Sequence, residues 1–467
     1  MLLSRWTADA FRVMKSIHKT RSRAKILLLV LLLLPCATLG SAQTPVAQPT
    51  SSPKPPASPL GDVTQQPEST DEPLVYGLQG VLIETLDGKT VSAQAIDQGF
   101  NPASSVKLGL ALVALHTFGP QYRFTNGFWT DGTINKVTGE LTGNLYVTGR
   151  DPSFHYEHGV MIARLLNNLG IRTVTGDVIV APGFTMNFSA SARRSGEMLH
   201  DTMDATLRSG EATRSWMYER MTLGDQASLQ TVPNVAIKGE VIVGPVAPGA
   251  KLLLTHNSSK LTDVLKVLLC YSNNFMAERI GDSLGGAPAV QRQLVSLLAI
   301  PESEVQLSSV SGLGVNRVTP RAMMKIFRGL RNELQKHSLT PADIMPVGGI
   351  DPGTLEDRFT GPAWEGSVIA KTGTLVRTDG GASSLVGQMK TASGDVLLFV
   401  IMNQRGSVLR FRQNQDHLVM QVQNSRGGPK SFGYKPRVLA MKLADTQSIS
   451  TSANEFEPNA KTGTSPP

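Results

Sequence analysis

One run, LGLALVALHTF at 108–118, is apolar over more length than a half-buried strand needs. NPASSVK precedes it and Gly119-Pro120 closes it, so Pro102 and Ser104 mark the start of a buried helix over about Ser104–Phe118. GVLIETLDGKTVSAQAI, just upstream, reads as a hairpin turning at Asp87-Gly88. Helical patterns follow at 258–284 and 319–336, then three strand-like runs, EGSVIAKTG, GASSLVGQMK and DVLLFVIMN, and a last helix, VLRFRQNQDHLVMQVQ. Strands at both ends with helices between them imply one layered α/β structure. Within 125–255 the pattern changes to short strands (GNLYVTG, GDVIVAP, GEVIVGP), Gly/Pro turns and a polar, Arg- and Met-containing stretch at 190–225. That composition predicts an inserted, mostly β domain. No fixed-period repeat is present.

At 467 residues the chain has room for two or three domains. Its formal charge of +8 suggests a polyanion partner, but seven Lys/Arg (Arg5, Arg12, Lys15, Lys19, Arg21, Arg23, Lys25) lie in residues 1–42 against Asp9. The remainder, with 38 basic and 36 acidic residues, is nearly neutral, which leaves nucleic acid without support. Residues 1–42 have the parts of a secretory signal: a basic region, the run ILLLVLLLLPCATLG, and Gly40, Ser41 and Ala42 before Gln43. Export is therefore expected, with a membrane contact only if this signal stays uncleaved. Residues 43–73, rich in Pro, Ser, Thr and Gln, read as a disordered linker, and 444–467 as a disordered tail. Of the two cysteines, Cys36 leaves with the signal, and Cys270 alone forms no intramolecular disulfide.

Three short motifs carry chemistry. Ser104-Ser105-Val106-Lys107 is an S-x-x-K. Residues three apart share a helix face, so Lys107 reaches the Ser104 hydroxyl while Ser105 faces elsewhere. Lys107 acts as a base if burial or nearby positive charge lowers its pKa. Ser272-Asn273-Asn274 is an S-x-N. Ser272 there is suited to relaying a proton and the Asn274 amide to holding a substrate carbonyl; a plain polar break between helices is the bland reading. Lys371-Thr372-Gly373 continues a β-run. Gly373 lets a substrate backbone lie along the strand edge. Lys371 with Thr372 or Thr374 suits a carboxylate, and the Thr374 and Ser104 N–H groups suit an oxyanion. AKTGT recurs at 460–464, before two prolines and without a β-run, and is read as coincidence.

In this order the motifs resemble those of the penicillin-recognising serine acyl-transferases. NPASSVKLGLALVALHTFGPQYRFTN, GELTGNLYVTGRDPSF, THNSSKLTDVLKVLLCYSNNFMAE, SVSGLGVNRVTPRAMMKIF and MPVGGIDPGTLEDRFTGPAWEGSVIAKTGTL resemble more narrowly the D-alanyl-D-alanine carboxypeptidase/endopeptidase family, the DacB-type class C penicillin-binding proteins. The resemblance implies an α/β fold of the penicillin-binding-protein/serine β-lactamase type, an antiparallel sheet flanked by helices. Its transpeptidase-like catalytic domain would take residues 74–124 and 256–443, with 125–255 inserted after the S-x-x-K helix. It also implies an exported, periplasmic or cell-envelope enzyme acting on peptidoglycan stem peptides, acylated by β-lactams and needing no cofactor or metal. Ser104 would be the nucleophile, Lys107 its base, and Ser272 and Asn274 assistants; Lys371, Thr372, Gly373 and Thr374 would bind substrate. Asp151, in a D-P-S segment, and Arg317, after S-G-L, would match a pocket for the stem peptide's diamino acid. The interval from Ser104 to Ser272, 168 positions, is shorter than the family leads one to expect.

Three other readings have less behind them. A serine β-lactamase needs a dedicated deacylating group and a short gap after S-x-x-K. A non-catalytic wall-binding protein would have no reason to keep all the motif residues. His155, Glu157 and His158 in DPSFHYEHG lack metal-ligand spacing and suggest a solvated loop.

Overall fold

The computed structural model of the protein describes residues 77–451. The expected signal, the linker and the second AKTGT lie outside the described residues.

The chain opens with β1 (Leu78–Thr85) and β2 (Thr90–Gln94), the expected hairpin, and reaches helix α1 (Lys107–Phe118) through a short 3-10 turn, Ala103–Val106. From Lys107 to Leu115 every residue of α1 is buried. The insert follows: β3 (Thr125–Thr130), β4 (Leu145–Gly149), α2 (Tyr156–Asn168), β5 (Val178–Val180), α3 (Ala192–Met203), α4 (Gly210–Thr222), β6 (Val241–Val243) and β7 (Lys251–Asn257). Then come α5 (Leu261–Tyr271), α6 (Asn274–Ser283), α7 (Gly286–Leu298) and α8 (Pro320–Lys336). The last elements are β8 (Val368–Leu375), β9 (Ala382–Lys390), β10 (Val396–Gln404), α9 (Val408–Asn424), α10 (Leu439–Ala444) and β11 (Gln447–Ser450).

The first and last parts of the chain meet in one five-stranded antiparallel sheet, β8-β9-β10-β1-β2. Its strands alternate side chains between two cores. Ile369, Val386, Leu398, Val400 and Met402 face the core that also holds α1, α5 and α8. Val368, Ala370, Leu385, Phe399 and Ile401 face the core that holds Val419 of α9. A sheet covered on both faces explains why these strands read as nearly continuous apolar runs. β8 lies at the sheet's edge, and its Gly373 approaches the Pro102 carbonyl at the start of the S-x-x-K turn.

The insert has its own core around Phe128, Leu145, Val147, Ile162 and Leu166, and a mixed six-stranded sheet, β6-β5-β4-β3-β7-β11. It is α/β rather than mostly β. Ser191 and Ser209 accept the Arg194 and Ala212 N–H groups as helix N-caps. They start α3 and α4 inside the polar 190–225 stretch expected to be part of a mostly β domain. Residues 444–451, expected to belong to a disordered tail, are instead part of the fold. Residues 447–450 pair antiparallel with 254–257, because the outer edge of β7 offers backbone groups that a polar strand satisfies as well as an apolar one. No helix among the described residues is long and apolar enough to cross a membrane.

Candidate active site

The S-x-x-K turn is set before α1 begins. Ala103 has φ +46°, a conformation held in part by its N–H, which donates to Asn101 Oδ1 at 3.0 Å. Two glycines let other segments approach this turn. A Cβ on Gly312 would lie 2.0 Å from the Ala103 carbonyl oxygen, and one on Gly373 2.5 Å from that of Pro102. Ser105 Oγ turns inward, donates to the Pro102 carbonyl at 2.8 Å and lies 3.0 Å from Ser384 Oγ. Ser104 remains half-buried, and Lys107 Nζ lies 2.9 Å from its Oγ.

Lys107 is fully buried, and its amine also reaches Asn274 Oδ1 at 2.8 Å and the Ser311 carbonyl. Burial holds its pKa well below the ordinary lysine value, and the Lys371 charge pushes it the same way against Glu278. Burial thus disfavours the charged form of the amine, the direction that a base at this position requires. Glu278 in turn accepts the Ser311 N–H at 2.9 Å, fixing the segment whose carbonyl meets Lys107.

The S-x-N motif spans the break between α5 and α6. Ser272 ends α5 in a left-handed conformation, φ 55°. Asn273 caps α6 by accepting the Met276 N–H, and Asn274 is that helix's first residue. The bland and the chemical readings of this motif thus describe the same turn. Lys371, on β8, is fully buried and donates to Ser272 Oγ at 2.9 Å and to the Thr372 carbonyl at 2.7 Å. Burial brings its pKa down to about 7. Ser104, Lys107 and Asn274 form one hydrogen-bonded group, and Ser272 and Lys371 a second. Thr374, at the end of β8, accepts from Arg412 Nη2 at 2.7 Å.

A buried lysine whose charge burial disfavours, beside a half-exposed serine and a second lysine–serine pair, is an arrangement that could support acyl transfer, and sequence comparison names the family. The family model of D-Ala-D-Ala carboxypeptidase 3 (S13) matches residues 64–201 and 225–424. The chain belongs to this family. A D-alanyl-D-alanine carboxypeptidase from Actinomadura sp. is 29% identical over 186 residues, 36% of this chain and 34% of that one. The carboxypeptidase DacB of Haemophilus influenzae is 28% identical over 183 residues, 36% of each chain. The chain thus aligns with about a third of the length of these curated relatives. The penicillin G-acylated predatory endopeptidase Bd3459 of Bdellovibrio bacteriovorus shares the fold, with a TM-score of 0.64 at 22% identity over 79% of this chain and 97% of that one.

Not every residue carried over from the S13 resemblance joins the group around Ser104. Asp151 lies in the insert, 1% exposed, with its Oδ1 taken by the Ser153 N–H and Oγ at 2.8 and 2.6 Å. Burial raises its carboxyl pKa, and it faces the insert's interior rather than the cleft's lysines. Arg317 is bidentate on Asp379 at 2.9 and 2.8 Å. Asp379 also accepts from Asn101 Nδ2 at 2.7 Å, so Arg317 connects through Asp379 and Asn101 to the Ala103 N–H. In this structure it braces the S-x-x-K turn. Asn101, Glu278, Ser311 and Asp379 were not singled out from sequence. Apart from the local Asn101–Ala103 contact, their contribution comes from contacts across more than 30 positions, which no local motif signals.

DPSFHYEHG is not a solvated loop. His155 and His158 are 6% and 2% exposed at the start of α2, because they pack against Phe188 and Phe154. Glu157, His158 and Glu219 bring ligand-type atoms within 4.8 Å of one another. The donor set nevertheless suits a cation poorly. His158 Nδ1 accepts the His155 N–H at 3.0 Å, so the proton sits on Nε2, the atom that points toward Glu219. A ligating Nε2 would have to be bare. Glu219 is also held by Arg220. The cluster is a buried polar network.

Proposed function

We propose that this S13-family chain is an exported serine D-Ala-D-Ala carboxypeptidase/endopeptidase that cleaves peptidoglycan stem peptides through a Ser104 acyl-enzyme and is acylated by β-lactams. The observation that carries the reading is the 2.9 Å contact between Ser104 Oγ and a fully buried Lys107. Lys107 takes the Ser104 proton, and Oγ attacks the penultimate D-alanine carbonyl. The N–H groups of Ser104 and Thr374 hold the oxyanion. As the peptide C–N bond breaks, the leaving amine receives through Ser272 the proton that Lys107 took from Ser104, which leaves Lys107 neutral again and Lys371 still charged. Water then hydrolyses the ester, with Lys107 again as base. The Thr372 and Thr374 hydroxyls and Lys371 charge bind the terminal carboxylate. Export rests on the character of residues 1–42 and on the cell-wall substrate.

Release of D-alanine from a muramyl pentapeptide tests this reading. The wild-type protein is expected to release it and Ser104→Ala to lose at least about a thousandfold in kcat. Turnover retained in Ser104→Ala, or lost instead in Ser105→Ala, would overturn the assignment.

A further inference from the structure

We propose that Arg412 is a positioning residue that orients the Thr374 hydroxyl as a donor to the substrate carboxylate and supplies a permanent positive charge beside it. This inference rests on the reading of Thr374 as a carboxylate-binding residue.

Arg412 stands in the second turn of α9, exposed, beyond the end of β8. Its Nη2 donates to Thr374 Oγ1 at 2.7 Å. The nearby carboxylate does not claim it, because Asp416 is bound by Arg358 through Nε at 2.8 Å and through Nη2 at 2.5 Å. Arg412 is thus a guanidinium whose hydrogen bond goes to a neutral hydroxyl. Three residues along the same helix, Gln415 Nε2 donates to Ser383 Oγ at 3.2 Å, and Ser383 is the cross-strand neighbour of Thr374. Arg412 and Gln415 therefore fasten α9 to the same end of the sheet, which keeps the guanidinium in place.

Two chemical consequences follow from this contact. A hydroxyl that accepts from a cation keeps its own proton for another acceptor, and among the described residues none takes it. A carboxylate oxygen accepting that proton would lie within about 6 Å of the guanidinium, a distance at which opposite charges still attract at a half-exposed site. Arg412 also complements Lys371, which is buried, already bonded to Ser272 and the Thr372 carbonyl, and only partly charged near neutral pH. An arginine keeps its charge across that range.

The test compares acylation rates for benzylpenicillin and its methyl ester in the wild type, Arg412→Gln and Arg412→Lys. The expected result is an acid-over-ester preference that falls about tenfold or more in Arg412→Gln, with ester acylation little changed, and that recovers in part in Arg412→Lys. Equal loss on acid and ester would mean that Arg412 only supports the fold, and an unchanged ratio would mean that it does not read the carboxylate. Either result overturns this inference while leaving the acyl-enzyme intact. Failure of the wild type to be acylated by either compound would instead strike the proposed function itself.

Discussion

At the scale of single residues, two lysines made unlike ordinary lysines set the chemistry. Both are buried, and burial disfavours the charged form of each. Lys107 is pushed well below the ordinary lysine value, the direction a base requires, whereas Lys371 stops at about 7 and changes charge near physiological pH. Below that value Lys371 is protonated and attracts a carboxylate; above it the charge is lost. Acylation by benzylpenicillin is therefore expected to slow several-fold relative to its methyl ester between pH 6 and pH 8.5. Rates measured for both compounds across that range check it, and a ratio that does not change with pH would remove Lys371 from carboxylate binding. Ser104, Lys107 and Lys371 were legible from sequence because an i, i+3 spacing and a strand context fix them locally. Arg317 was legible as a residue but not as to its partner. Only the fold shows that Asp379 occupies it and that Asp151 sits in a different core.

Elements hold these residues by close approach. The turn before α1 touches both the 311–312 segment and β8, and only glycine fits at the two contact points. Gly312→Ala would place a side chain on a φ of +86° and against the Ala103 carbonyl, so a loss of acylation of at least about a hundredfold is expected in a protein that still folds, as read by circular dichroism. Breaking the brace is milder. Asp379→Ala frees Arg317 and Asn101 together, and acylation is expected to slow by about tenfold with little change in affinity for the substrate. A rate equal to wild type would show that the Ala103 conformation is held by other contacts. The hairpin, the buried helix and the three late strands were readable from the length of their apolar runs and the turn residues that bound them. The helices α3 and α4 were not, because their polar, arginine-rich sequences hide two serine caps among residues that also favour turns.

Across the whole molecule, the two ends of the described residues close the structure. β1 joins β10 in the central sheet, and β11 adds an edge to the insert's sheet, with Arg123 linked to Asp445 alongside. Behind the S-x-N turn, Lys266 and Asp351 form a fully buried pair, and Tyr434 donates to the same carboxylate at 3.0 Å. Removing one partner leaves a buried charge uncompensated, so Asp351→Ala is expected to cost about 3–5 kcal/mol in denaturant unfolding, and a cost below about 1 kcal/mol would contradict the pair's structural role. Cutting after residue 438 removes α10 and β11 and is expected to lower the melting temperature, whereas cutting after 451, which removes the second AKTGT, is expected to leave acylation unchanged. The AKTGT copy at 370–374 lies on an edge strand, close to the S-x-x-K turn.

The central claim is that Ser104, activated by Lys107, forms an acyl-enzyme. Intact mass of the protein after exposure to benzylpenicillin, followed by peptide mapping, tests it most directly. One penicilloyl group on the peptide containing Ser104, absent in Ser104→Ala and present in Ser105→Ala, is the expected result. A folded protein that gains no mass, or gains it on another residue, would contradict the account.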